Sequence, residues 1–252
     1  MSIPTLAGRL RDAVTARTAI EPLSATVPEL DLPTAYRVQH VLRDEAGPLA
    51  GWKLGLTSRA KQRQVDVSEP VHGFLPAAGA LDLGEPLDTA ALIAPRCEPE
   101  IVFVLGHDLA GPHVTAADVL AATAGVAVGI EVLDSRYRDY RFTMADVVAD
   151  NTSAGRYVVG PPVPPAGIDL RLAGVVLEKN GRVAATAAGA ASMGHPAAAV
   201  AWLVRALAAT GEELRAGEIV LSGGLTAAVP VEPGDVVVVT VDHLGTLELA
   251  CR

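Results

Sequence analysis

The chain has 252 residues, is half hydrophobic but only 4% aromatic, and carries a net charge of −9. That length buries a substantial core, here built on Ala, Val, Leu and Ile, while the acidic balance argues against nucleic acid as a partner, because phosphate binding wants a basic face. No run reaches the ~18 uncharged apolar residues of a membrane span, and residues 1–11 lack the apolar segment of a secretory signal, so the expectation is a cytoplasmic protein that meets no membrane.

Helical spacing of Leu6, Leu10 and Val14 predicts a short first helix. Ala35, Val38, Val41 and Leu42 predict a second, with Asp31 or Thr34 as its cap and Gly47-Pro48 as its stop. Residues 51–56 read as a strand and 57–90 as an irregular excursion with several turns. The run 101–105 reads as a strand stopped by Gly106-His107-Asp108, and 115–124 as a helix capped by Thr115 with Asp118 at its third position. A strand over 126–133 leads into a loop rich in Arg and Tyr (136–141), and Asp150-Asn151-Thr152-Ser153 marks a turn. Asn180-Gly181 centres a hairpin within 169–188. Pro196 opens an amphipathic helix bearing Val200, Leu203, Val204 and Leu207, which Gly211 stops. The tail reads as strands over 217–222, 227–231, 235–241 and 245–250. No repeat or linker divides the chain, so 1–252 reads as one catalytic domain of α+β class, a helical region 1–50 on a β-rich core 51–252.

Glu98 and Glu100 stand two apart at the mouth of the 101–105 strand. Alternate strand residues share a face roughly 7 Å apart, so both carboxylates point the way of Val102 and Val104. Two like charges at the end of a strand that is apolar on both sides are costly unless a cation compensates; a strand end open to water would account for them as well. Glu131 shifts the balance, because it stands alone in the apolar run 126–133. Three carboxylates on two neighbouring strands make an oxygen-only site suited to Mg²⁺ or Mn²⁺, which keep positions for water or substrate. No histidine cluster accompanies them, and neither Cys97 nor Cys251 lies in a CxxC, which argues against zinc.

Lys53 lies among apolar residues and glycines in 51–57, although only three of the 20 basic residues are lysines. A lysine beside a metal in a dry pocket exchanges protons or holds a carboxylate; a strand lysine snorkelling to water is the alternative. Arg136 suits a dianionic substrate or a surface ion pair. The 150–153 turn and the Gly-rich exit 222–226 offer further polar groups, and His195, before the Pro196 helix, reads as structural.

The stretches GWKLGLTSRAKQ (51–62), EPVHGFL (69–75), PRCEPEIVFVL (95–105), IEVLDSRYRDYRF (130–142), VVADNTSAGRYVVG (147–160), GHPAAAVAWL (194–203) and LSGGLTAAVPVEPGD (221–235) follow one another with compatible gaps. In that order they resemble the hydratase/decarboxylase branch of the fumarylacetoacetate hydrolase superfamily. The resemblance implies mixed sheets rolled around an active site in which Glu98, Glu100 and Glu131 hold Mg²⁺ or Mn²⁺. It places the active-site lysine on Lys53 in a motif that ends at Thr57. Asp150, Asn151 and Ser153 match a substrate-binding segment, Gly224 and Thr226 match a C-terminal pocket strand, and Arg136 joins them as a substrate contact. Cys97 stands where the family usually has an aliphatic residue, and beside Glu98 it suggests an oxidation-sensitive site.

The implied substrate is a small 2-oxo acid. The stretches DSRYRDYRF (134–142) and SGGLTAAV (222–229) favour decarboxylation of 4-oxalocrotonate (2-oxohex-3-enedioate) to 2-hydroxypenta-2,4-dienoate in aromatic meta-cleavage catabolism. Hydration of that dienoate is the alternative. A C–C hydrolase of acylpyruvates comes third, since His40 and Glu45 read as helical and form no lid, together with a non-catalytic 2-oxo acid binder. The resemblance also implies a homo-oligomer and a complex with a partner hydratase or decarboxylase.

Overall fold

The N-terminal helices begin at caps that the sequence supplies. In the computed structural model, which describes residues 1–58, 62 and 69–252, α1 (Ile3–Ala16) starts where the Ser2 hydroxyl accepts from the Thr5 amide. It ends on Arg17 in the left-handed region, at φ 50°. The second helix, α2 (Leu32–Glu45), starts where Asp31, not Thr34, caps by accepting from the Thr34 amide at 2.9 Å. Leu6 and Leu10 are buried as expected, but Val14 is 49% exposed and Ala13 takes the inward place. Positions 6, 10 and 13 follow the i, i+4, i+7 stripe of a helix that buries one face.

The first strand, β1 (Leu49–Gly55), pairs antiparallel with β2 (Val71–Pro76). That second strand corrects the reading of 57–90 as irregular throughout. Val71 to Leu75 are all buried, and a strand covered on both faces shows no alternation for sequence to detect. Residues 59–61 of the 51–62 motif lie outside the described residues. Next, β3 (Arg96–Leu105) begins well before residue 101, so Glu98 and Glu100 sit inside the strand, not at its mouth. Then α3 (Ala116–Ala122), with the expected Thr115–Asp118 capping box, leads into β4 (Thr123–Leu133). A short helix that sequence reading left out, α4 (Met144–Ala149), also carries a capping box, between Thr143 and Asp146.

After β5 (Ala154–Val159) come β6 (Gly174–Lys179) and β7 (Arg182–Ala188), joined by the Asn180-Gly181 turn with both residues at positive φ. Then α5 (Pro196–Ala208) starts at His195, whose Nδ1 accepts from the Ala197 amide at 3.0 Å, the structural role expected of it. The tail supplies β8 (Ile219–Leu221), β9 (Val229–Pro230), β10 (Val236–Val241) and β11 (Gly245–Ala250).

Among the described residues, seven strands form one sheet in the order β2-β1-β8-β3-β4-β5, with β9 beside β3. It is mixed: β1 and β8 run parallel, while β3 is antiparallel to β4, β8 and β9. The second sheet, β11-β10-β6-β7, covers one face of the first. Val128 and Ile130 of β4 pack there with Leu177, Val237 and Leu247, and Val200 and Leu203 of α5 join the same core. The helices α1, α2 and α4 close a separate apolar cluster around Tyr137 and Val148. No helix among the described residues is long and apolar enough to cross a membrane.

The second strand also buries His72, stacked on Tyr36 at 4.7 Å and edge-on to Trp52 at 5.8 Å. Burial, with the charges of His40 and Arg43 nearby, lowers its pKa to about 4. The unfolded chain takes up this proton near pH 6.5, so below that point protons favour unfolding until the folded ring titrates as well. Stability therefore falls by up to about 3 kcal/mol between pH 6.5 and 4 on this account, and is unaffected above it. His72→Phe, which keeps the stacked ring, should flatten that part of the profile in urea unfolding at pH 7 and 4.5. An unchanged slope in the variant removes His72 as the cause.

A candidate metal centre on the mixed sheet

Sheet register gathers the acids. Glu98 of β3 lies directly opposite Glu131 of β4, and Glu100 lies opposite Gly129. Directly opposed residues share a face, so all three carboxylates rise from one side of the sheet. Lys53 reaches the same side through β8, because Lys53 pairs with Leu221 and Leu221 with Val102. Beyond them, Val102, Ala127, Leu221, Leu75 and Tyr157 make an apolar floor. One oxygen from each of Glu98, Glu100 and Glu131 lies within 4.8 Å of the others, and all three side chains are buried.

Such a cluster is unfavourable by itself. Burial, then the neighbouring Glu131 and Glu98, push the Glu100 carboxyl well above the ordinary carboxylate range. Burial also raises Glu131, against the opposing pull of Lys53. The Lys53 ammonium stands 2.5 Å from Glu131 Oε1 and donates to the Thr152 carbonyl at 2.8 Å. The Gly223 amide donates to Glu100 Oε2 at 2.6 Å. Glu100 Oε1 and Glu131 Oε2 have no hydrogen-bond partner among the described residues. Buried charged oxygens without donors are what a hard cation would satisfy, and the donor set is all oxygen.

Glycine makes the close approach possible. A β-carbon on Gly224 would lie 2.1 Å from Glu98 Oε2, so any side chain there would displace the carboxylate. Thr57 sits behind this loop: a β-carbon on Gly223 would meet its Oγ1 at 2.1 Å. That hydroxyl is buried and has no hydrogen-bond partner among the described residues. Thr226 is also buried, its hydroxyl donating to the Ala227 carbonyl at 2.9 Å.

A cavity of about 260 Å³ opens above the cluster, with Lys53 and Glu98 on its wall beside Leu56, Val71, Leu133 and Val147. Thr152 and Ser153 line it too. The other polar residues expected there do not. Arg136 is engaged inside the protein: its Nε meets Asp150 Oδ1, Nη2 meets the Asp150 carbonyl, and Nη1 donates to the carbonyls of Asp134 and Ala154. Those contacts correct its reading as a partner for a dianionic substrate. Asp150, raised to about 6 by burial against the pull of Arg136, is the other half of that clamp. Asn151 is bound to the β2 edge, accepting from the Phe74 amide at 2.9 Å and donating to the Phe74 carbonyl at 3.0 Å. These three residues hold the segment that presents Thr152 and Ser153.

Cys97 points into the core on the opposite face from Glu98, fully buried, and burial raises its thiol strongly. The expectation of an oxidation-sensitive site is therefore corrected: a buried, protonated thiol is poorly reactive. Two polar cavity residues were not among those expected from the sequence, Arg96 and Tyr140. Arg96 was legible in the sequence, since it precedes Glu98 by two and so shares its face.

Residues 52–251 match the model of the fumarylacetoacetate hydrolase C-terminal family. The chain belongs to that family. Among curated relatives, it is 43% identical over 230 residues to a 4-oxalocrotonate decarboxylase of Pseudomonas sp. strain CF600, covering 89% of this chain and 86% of that one. It is 40% identical over 254 residues to a 2-hydroxyhexa-2,4-dienoate hydratase of Comamonas testosteroni, covering 98% and 96%. Among solved structures, it matches a 4-oxalocrotonate decarboxylase from Pseudomonas putida G7, complexed with magnesium and adipate, with a TM-score of 0.96. Identity there is 39%, and the match covers 99% of this chain and 97% of that one. The mixed-sheet α+β fold expected from the sequence is the one found in that solved decarboxylase.

Proposed function

We propose that this protein is a lyase that uses Mg²⁺ or Mn²⁺, held by Glu98, Glu100 and Glu131, to decarboxylate 2-oxohex-3-enedioate to 2-hydroxypenta-2,4-dienoate. The observation that carries the reading is the buried triad of carboxylates beside Lys53 at the base of a cavity, with Glu100 Oε1 and Glu131 Oε2 lacking a hydrogen-bond partner among the described residues. A bound divalent cation supplies Lewis acidity toward the carboxylate and oxo group of a 2-oxo acid. In the substrate, the C5–C6 bond is conjugated through C3=C4 to the C2 oxo group. As CO₂ leaves from C6, the bonding pair forms C4=C5, C3=C4 shifts to C2=C3, and negative charge collects on the C2 oxygen.

Among the described residues the Lys53 ammonium has two contacts for its three N–H donors, which leaves one for the cavity. Its proposed role is to hold the substrate carboxylate or to deliver the proton that the C2 oxygen takes up. Leu56, Val71, Leu133 and Val147 keep water from the reacting carbons. Thr152 and Ser153 would contact the substrate, with Thr57, Gly224 and Thr226 shaping the loop beside Glu98.

Hydration of 2-hydroxypenta-2,4-dienoate is the second reading, favoured by the likeness to the Comamonas testosteroni hydratase. The hydrolase reading is weakened by His40 and Glu45, which lie in α2, His40 lining a different cavity and Glu45 pairing with Arg11. A non-catalytic 2-oxo acid binder is the remaining alternative. We place the protein in the cytoplasm as a homo-oligomer, in a complex with a partner hydratase, because the dienol product is that enzyme's substrate. Metal-loaded protein is to be given 2-oxohex-3-enedioate, following CO₂ release and ultraviolet absorbance, and in parallel 2-hydroxypenta-2,4-dienoate. Metal-dependent CO₂ release is the expected result; consumption of the dienoate alone makes it a hydratase, and silence with both removes the lyase reading.

A further inference from the structure

The cavity has a second cationic end. Arg96 shares the sheet face of Glu98, one same-face step away, roughly 7 Å along β3. Its guanidinium lies over the Tyr140 ring, 3.9 Å from the centroid. That ring is fixed: the Tyr140 hydroxyl sits 2.9 Å from the Ala94 carbonyl and 3.1 Å from the Leu133 carbonyl, and accepts from the Ser135 amide at 3.3 Å. A guanidinium stacked on an aromatic face keeps its N–H edge available, in a plane that matches a carboxylate bidentately.

Lys53 and Arg96 are the two cationic residues lining this cavity among those described. Lys53 is committed to Glu131 and the Thr152 carbonyl, whereas no ion pair joins Arg96 to a carboxylate among the described residues. Leu56, Val71, Leu133 and Val147 make the rest of the wall largely apolar, with Thr152 and Ser153 as its polar members. An acid-binding end, an apolar middle and a planar cation at the far end describe a ligand charged at both termini. Five carbon–carbon bonds of about 1.5 Å span roughly 6 Å when extended, which suits one step along the strand.

We propose that Arg96, held flat by Tyr140, binds the distal carboxylate of the substrate and selects six-carbon 2-oxo diacids over 2-oxo monoacids of the same length. This rests on the reading of the site as one for 2-oxo acids, and names the class it takes. Arg96 fixes the terminus from which CO₂ departs, so its effect falls on diacids alone.

The test uses two unreactive ligands with the same head, 2-oxoadipate and 2-oxohexanoate. Both lack the C3=C4 bond, so neither can lose CO₂ by the conjugated route. Dissociation constants are to be measured by calorimetry with magnesium-loaded protein. Wild type should prefer 2-oxoadipate by about 10- to 100-fold, the worth of a charge-assisted hydrogen bond. Arg96→Met should bring the ratio close to one while leaving 2-oxohexanoate affinity unchanged, and Arg96→Lys should retain part of the preference. An undiminished preference in Arg96→Met overturns the proposal, as does equal loss of both ligands, which would make Arg96 a support for the whole site. If wild type binds neither ligand, the 2-oxo acid reading itself fails. If it binds both equally, only the Arg96 assignment does.

Discussion

Glu100→Gln should lower turnover by about a thousand-fold or more while leaving the metal-free protein at least as stable as wild type. The two halves of this result have one cause. Three buried carboxyl groups with oxygens within 4.8 Å of one another resist ionising together without a cation, and Glu100 is pushed well toward its neutral form, so a neutral side chain at this position costs the metal-free fold nothing. Gln keeps the shape, and its oxygen can still accept from the Gly223 amide that now bonds Glu100 Oε2. Its amide group would donate to the neighbouring carboxylates. Cation binding suffers the reverse, because affinity for a hard cation tracks the charge of its ligands. Lewis-acid stabilisation is worth several kcal/mol, and each 1.36 kcal/mol is tenfold in rate, which gives the thousand-fold figure. Steady-state rates and thermal melting with and without Mg²⁺ measure both halves. Wild type should melt higher with Mg²⁺ by mass action and the variant should not. Near-normal turnover, or an undiminished Mg²⁺ shift, would take Glu100 out of the metal site.

The acids were legible because they broke a pattern. A pair at i and i+2 beside an apolar run, and a solitary Glu inside another, are visible without knowing which strands pair. Their meeting was not legible, since it depends on Glu98 facing Glu131 in the register of β3 and β4. Lys53 stood out for a similar reason, as a rare residue type in an apolar strand. Arg136, Asp150 and Asn151 show the opposite case. Their side chains serve equally well to grip a ligand or to brace a loop, and what decides is the group across from each. Asn151 finds the backbone of Phe74, 77 residues away, and Arg136 finds Asp150, 14 residues on. Boundaries failed for two different reasons. Strand β2 is buried on both faces and shows no polar alternation. The start of β3, by contrast, alternates Arg96, Glu98 and Glu100 with Cys97 and Pro99 but holds a proline, which strands rarely carry in their interior.

Lys53→Met should separate the chemistry of the site from its assembly. The ammonium is buried, 2.5 Å from Glu131 Oε1. Removing one partner of a buried ion pair leaves the other uncompensated, at a cost of about 3 kcal/mol or more. The metal-free variant should therefore unfold at lower urea than wild type. Mg²⁺ should restore most of that difference, because the cation takes over the compensation of Glu131. Two effects on Mg²⁺ affinity oppose each other: loss of a neighbouring positive charge favours the cation, while loss of the group that orients Glu131 disfavours it. Met therefore leaves binding far less altered than turnover, which should fall by about 10²- to 10⁴-fold, the usual worth of a positioned proton donor. Magnesium titration followed by calorimetry, beside single-turnover rates at saturating metal, distinguishes the cases. Abolished Mg²⁺ binding would make Lys53 a part of the metal site's framework. Intact Mg²⁺ binding with full turnover would leave it no part in the reaction. Intact binding with slow turnover is the outcome expected if its remaining N–H donor meets the substrate.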